Sequence, residues 1–161
     1  MAATGKGFTR TTPNTEFRNP TSWGRTRQAK NLAGAHERGV TVVAEDAAAF
    51  TATSGHATEN QRYLYLYAPQ SHADDGGVII SVWGYVHAFG EWFELLDSTG
   101  TEVTITLDAT AAVSTFTGGN PVDIAGVDRV AFRTDRTIAA ADPALNPDTK
   151  LMAAANTIPS R

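Results

Sequence analysis

The chain has 161 residues, 42% of them hydrophobic, which is one domain's worth with enough apolar material for a core. No apolar run approaches membrane-spanning length and the start, Met-Ala-Ala-Thr-Gly-Lys-Gly, has no apolar leader, so neither a membrane span nor a secretory signal is expected. The absence of cysteine excludes a disulfide framework, a thiolate metal site and a thiol nucleophile, and the formal net charge of −4 is unevenly spread.

Residues 1–30 hold Lys6, Arg10, Arg18, Arg25, Arg27 and Lys30 against Glu16 alone, so the rest of the chain is strongly acidic. A basic lead segment rich in Gly, Thr, Asn and Pro cannot bury enough apolar surface to fold by itself. It is expected to be an extended arm over 1–27 that orders on an acidic surface: a neighbouring copy, another protein or a nucleic acid. Phe8, Phe17 and Trp23 are spaced along it as aromatic anchors, with Arg10, Arg18, Arg25 and Arg27 as charge partners. Trp23 serves equally well packed back on its own body.

A short strand is expected within Gln28–Ala35 and another in Gly39–Val43, where β-branched residues suit a pleated surface. Glu45–Phe50 has the composition of a single helical turn. Arg62–Ala68 alternates with period two, placing Leu64 and Leu66 on one face and Tyr63, Tyr65 and Tyr67 on the other. That tyrosine row suits an interface or stacking against sugar rings. Pro69–Gly77 reads as a turn-rich loop.

Val78–Leu96 is the densest apolar run, expected as two strands joined by a tight turn at Gly90-Glu91. Ile80, Val82 and Gly84 point one way and Trp83, Tyr85, His87 and Phe89 the other, so both faces are apolar. A strand with one wet face would alternate cleanly; this one is covered twice, and Trp83, Tyr85 and Phe89 are candidates for contact with a second subunit. Further strands are expected at Glu102–Asp108, Val113–Phe116 and Arg129–Thr134, the last with Val130 and Phe132 inward. About eight short strands with Gly/Pro/Asp turns and no βαβ alternation specify an all-β fold, an antiparallel β-sandwich or jelly-roll-like body over 28–137. Pro143 and Pro147 interrupt the C-terminal stretch, so 138–161 is expected as a second extended arm, with Leu151 and Ile158 as apolar contacts and one helical turn at most in Leu151–Ala155.

Chemistry is hard to find. His36, His56, His72 and His87 show no metal-ligand spacing, and the Asp74-Asp75 loop lacks the ligand spacing of a calcium loop. Glu91 and Glu94 flank Trp92 and invite comparison with a glycosidase carboxylate pair, but their expected places, a turn and an outward strand position, put neither in a cleft. No serine lies in a Gly-x-Ser-x-Gly elbow. The expectation is no enzyme, cofactor or metal.

The cadence of Val78-Ile-Ile-Ser-Val-Trp-Gly-Tyr-Val, Gly90-Glu-Trp-Phe-Glu-Leu and Gly126-Val-Asp-Arg-Val-Ala-Phe-Arg resembles the small β-sandwich structural proteins of tailed-bacteriophage virions, in particular capsid decoration (cement) proteins. The resemblance spans residues 60–136 and rests on composition without an invariant motif. It implies a non-enzymatic protein made in the host cytoplasm and carried on the capsid surface, a homo-oligomer whose termini clamp the major capsid protein or other virion proteins. The alternative is a carbohydrate-binding module that stacks glycans on Tyr63, Tyr65, Tyr67 or Trp92. Nucleic-acid binding through the arm ranks last, because the acidic body repels it.

Overall fold

The computed structural model describes residues 30–34, 38–108, 121–137 and 143–157. Among them are ten strands: β1 (Lys30–Asn31), β2 (Val42–Val43), β3 (His56–Ala57), β4 (Tyr63–Gln70), β5 (Ile79–Val86), β6 (Glu91–Glu94), β7 (Thr104–Thr106), β8 (Val122–Asp123), β9 (Arg129–Thr134) and β10 (Lys150–Asn156). A short 3-10 turn covers Ala73–Asp75. The chain is all-β, as its turn-punctuated β-branched and aromatic runs predict.

The strands form two sheets. In the larger, β9 and β5 pair antiparallel along their length, from Arg129↔Tyr85 to Thr134↔Ile80. The far side of β9 carries β2 in parallel and β3 antiparallel, while the far side of β5 carries β6 and β7 end to end. Between β6 and β7 the chain leaves the sheet after Leu95, makes a small hairpin closed at Leu96↔Glu102, and returns at Val103. Asp97 ties that hairpin by accepting from the backbone N–H groups of Thr99 and Thr101. An excursion at this position breaks what would otherwise be a continuous unpaired sheet edge.

The smaller sheet runs β1-β10-β4-β8. Here the sequence expectation is corrected. Residues 150–156 are not part of an arm: they form an interior strand paired with β4 on one side and β1 on the other. Leu151, Ala153 and Ala155 alternate inward and are buried, so Leu151 is core rather than a partner contact. The alanine run that favours a helix in isolation is overridden by ladders on both sides and by an inward face that needs small residues. The expected helical turn at 45–50 is likewise irregular chain, and the β5–β6 turn occupies 87–90, where Phe89 and Gly90 both donate to the Val86 carbonyl.

One hydrophobic core joins the two sheets. Leu64, Leu66, Leu151, Ala153 and Ala155 from the smaller sheet cluster with Ile80, Val82, Ile105, Val130 and Phe132 from the larger. Burial of these residues is the main stabilising term, at roughly 25 cal/mol per Å² of apolar surface removed from water.

Candidate functional site

The outer face of the larger sheet, turned away from the core, carries the most elaborate side-chain assembly. Because side chains alternate, Arg129 and Arg133 leave β9 on this face, beside Ser81, Trp83 and Tyr85 of β5 and Trp92 and Glu94 of β6. Rings run in series across it: Tyr85 lies 5.2 Å from His87 and 5.3 Å from Trp92, and Phe50 lies 5.0 Å from Trp92 and 5.8 Å from Trp83. These separations are those of favourable tilted and edge-on ring pairs.

Phe50 arrives from the 44–55 loop, which the two arginines hold down. Arg133 donates to the carbonyls of Glu45, Ala47 and Ala48, and Arg129 to those of Thr53, Ser54 and Gly55. The Arg133 guanidinium also sits over the Phe50 ring at 4.6 Å. Trp92 donates its indole N–H to the Thr51 carbonyl, and Trp83 donates to the Ser81 hydroxyl. Gly55 closes the loop with a positive φ of 67°, where a Cβ would fall 2.2 Å from the Val130 carbonyl oxygen.

What remains open beside this assembly is a cleft of about 960 Å³, floored by Phe50, Trp83 and Trp92 and walled by Glu45, Glu91, Glu94, Glu102 and Asp135. Its lining includes five acidic residues and one arginine, Arg133, whose guanidinium is already engaged by backbone; Glu94 leaves β6 on the face of Trp92, whereas Glu91 leaves it on the face of Phe93. The side chains of Glu45, Glu91, Glu94 and Glu102 have no hydrogen-bond or ion-pair partner among the described residues. The field in the cleft is therefore strongly negative, and its floor apolar.

The expected site residues fall in several different environments. Trp83 is half-buried in the aromatic series, Tyr85 is 5% exposed, and Phe89 stands out from its turn at 73% exposure. The second apolar face of β5 is thus covered in large part by the chain's own 44–55 loop, and Tyr85 is withdrawn from any partner. In the tyrosine row, Tyr65 is 4% exposed and Tyr63 half-buried with the Arg62 guanidinium 5.2 Å from its ring centre, while Tyr67 is exposed. The row is not a continuous exposed platform, and Trp92, flanked by Phe50 and Tyr85, is half-buried with part of its surface lining the cleft. Phe8, Arg10, Phe17, Arg18, Trp23, Arg25, Arg27 and Ile158, with the strand expected at 113–116, lie outside the described residues.

Glu91 and Glu94, expected outside any cleft, both line this one. Sequence reasoning also misses Phe50 and the two arginines. Arg129 and Arg133 are four apart on a strand, hence on one face, and that spacing beside a buried β5 is the signal that could have found them.

The remaining polar features are structural. Asp75, read in sequence as a loop carboxylate, is fully buried: Arg136 faces it at 2.8 Å, and the Asn146 amide and Thr149 hydroxyl donate to its other oxygen. Burial holds the His56 imidazole below its ordinary pKa, with a hydrogen bond to the Leu32 backbone opposing and the charge of Arg129 adding to the effect. Asp123 is held below the usual carboxylate range by its hydrogen bond from Arg62 and by the Ala125 amide. Among the described residues no cluster of three metal-ligating side chains occurs, and no helix is long and apolar enough to cross a membrane. Comparison with known proteins matches the chain to no family model, no curated protein and no solved structure.

Proposed function

We propose that this chain is a non-enzymatic structural protein of a tailed-phage virion, a decoration protein that stabilises a capsid lattice by burying surface against it. The observation that carries the reading is the placement of apolar side chains that water still reaches. Of the five large hydrophobic residues exposed among the described ones, four fall within one stretch: Ile79, Phe89, Phe93 and Leu96. Phe93 lies in β6, an edge strand with no neighbour beyond among the described residues, and Phe89 and Leu96 lie in the chain just before and after it; Ile79 sits one strand in, on β5, and faces the other side of the sheet. The three along the edge, Phe89, Phe93 and Leu96, with carboxylates beside them, have the make-up of a protein–protein interface.

The two-sheet body, the basic aromatic lead segment and the cadence shared with virion β-domains point the same way. Recognition by burial needs no reacting group, and many such contacts repeated over a lattice add by avidity. The test is co-sedimentation of the full chain with purified particles of the phage that encodes it. The chain should pellet in a fixed ratio to capsid protein, and Phe89→Ser/Phe93→Ser/Leu96→Ser should weaken binding at least about tenfold. Saturable binding to polysaccharide with no binding to particles would instead favour a glycan-binding role.

A further inference from the structure

We infer that the acidic, aromatic-floored cleft on the outer face of the larger sheet is the docking site for the N-terminal segment of a second copy of this chain. The cleft is lined by Glu94 and Glu102, without cationic partners among the described residues, beside Trp83 and Trp92. Unpaired carboxylates around an apolar floor attract a ligand that carries cations and aromatic rings together, because each class of group then meets its complement. This chain contains one such ligand: residues 1–29 hold Lys6, Arg10, Arg18, Arg25 and Arg27 against Glu16, interleaved with Phe8, Phe17 and Trp23.

The connection favours exchange between copies. Lys30 enters the fold in β1, at the edge of the smaller sheet, whereas the cleft opens on the outer face of the larger one. To fill its own cleft the segment must wrap round the body; between two copies the same contact forms twice, reciprocally, and closes the pair. Arginine suits the role, since its planar guanidinium both pairs with carboxylates and stacks on indole. The inference goes beyond the virion assignment and needs no virion, only two copies.

The experiment uses the full chain throughout. Sedimentation velocity of the wild-type protein at low salt should show concentration-dependent association that weakens by tenfold or more in about 0.5 M NaCl, where surface charges are screened. Two charge-reversed chains, Glu94→Lys/Glu102→Lys and Arg10→Glu/Arg18→Glu/Arg25→Glu, should each remain monomeric. Mixed together they should associate again, since in the hetero-pair each cleft faces a segment of opposite sign. A wild-type chain that is monomeric at every concentration, as docking on its own cleft would give, overturns the inference, and so does a mixture that stays monomeric. A chain that binds particles yet never self-associates overturns this inference alone and leaves the virion reading standing.

Discussion

Arg136 and Asp75 form an ion pair at 2.8 Å that joins three separate parts of the chain. Asp75 sits in the 3-10 turn before β5, Arg136 just beyond β9, and the carboxylate's second oxygen takes the Asn146 amide and the Thr149 hydroxyl at the entrance to β10. The carboxylate is fully buried while the arginine keeps some contact with water. Such a pair fixes where the chain crosses from one sheet to the other, whatever its net contribution to stability.

Removing one partner leaves the other uncompensated. Arg136→Met strands a buried carboxylate and Asp75→Ala strands two donors and a guanidinium, so each should cost about 3–5 kcal/mol in urea unfolding. The double variant should cost less than the two losses added together. Losses under about 1 kcal/mol would mean that water reaches the site.

The 44–55 loop should come loose before the sheets do. Arg133→Ala removes three charge-assisted hydrogen bonds and the stack on Phe50, a loss of about 1.5–3 kcal/mol if one such bond dominates. Hydrogen exchange should rise over residues 45–51, with a red shift of tryptophan emission as Trp83 and Trp92 meet water. Arg133→Lys should rescue little, since an ammonium cannot reproduce the fork that spans three carbonyls.

Gly55→Ala places a methyl against the Val130 carbonyl and a side chain at positive φ. The cost should exceed about 1 kcal/mol. The same substitution at Gly77, whose φ is also positive but whose surroundings are open, carries only the backbone part. Comparison of the two thermal midpoints separates clash from strain.

Acid should destabilise the fold first through His56. Its folded pKa lies below the ordinary 6.5, so as pH falls the unfolded chain takes up the proton before the folded one. Stability is therefore full above that value and declines as pH drops through the folded pKa, beyond which this group adds no further slope. At lower pH Asp97, held down by hydrogen bonds from Thr99 and Thr101, and Asp123 add the same sign of slope. His56→Gln should flatten the first part of a urea-midpoint profile against pH and leave the acid part unchanged.

The β-class of the fold is legible because period-two alternation is strong in Tyr63–Ala68, because Val78–Val86 is a β-branched and aromatic run bounded by turn residues, and because Val130 and Phe132 alternate inward. The features that escape a reading of the sequence are set by long-range pairing. Leu151–Ala155 has helical composition, and only its position between β4 and β1 makes it a strand. Two apolar faces on β5 do mean two covered faces, but a sequence does not say whose atoms cover the second. Here much of the cover is the chain's own loop, held by arginines whose partners are backbone carbonyls, which leave no trace in residue type. The acidic cleft is hidden for the same reason: Glu45, Glu91, Glu94, Glu102 and Asp135 come from four separate stretches and meet only when the sheet forms.

Hydroxyl-radical footprinting of the full chain, free and within the purified phage particle, tests the interface reading most directly, because it reports the exposure of individual side chains. Phe89, Phe93 and Leu96 should lose most of their reactivity in the particle, while Tyr65 and Tyr85, already buried in the free chain, should react little in either state. Equal reactivity of Phe89, Phe93 and Leu96 in both states, or absence of the chain from the particle, would contradict it.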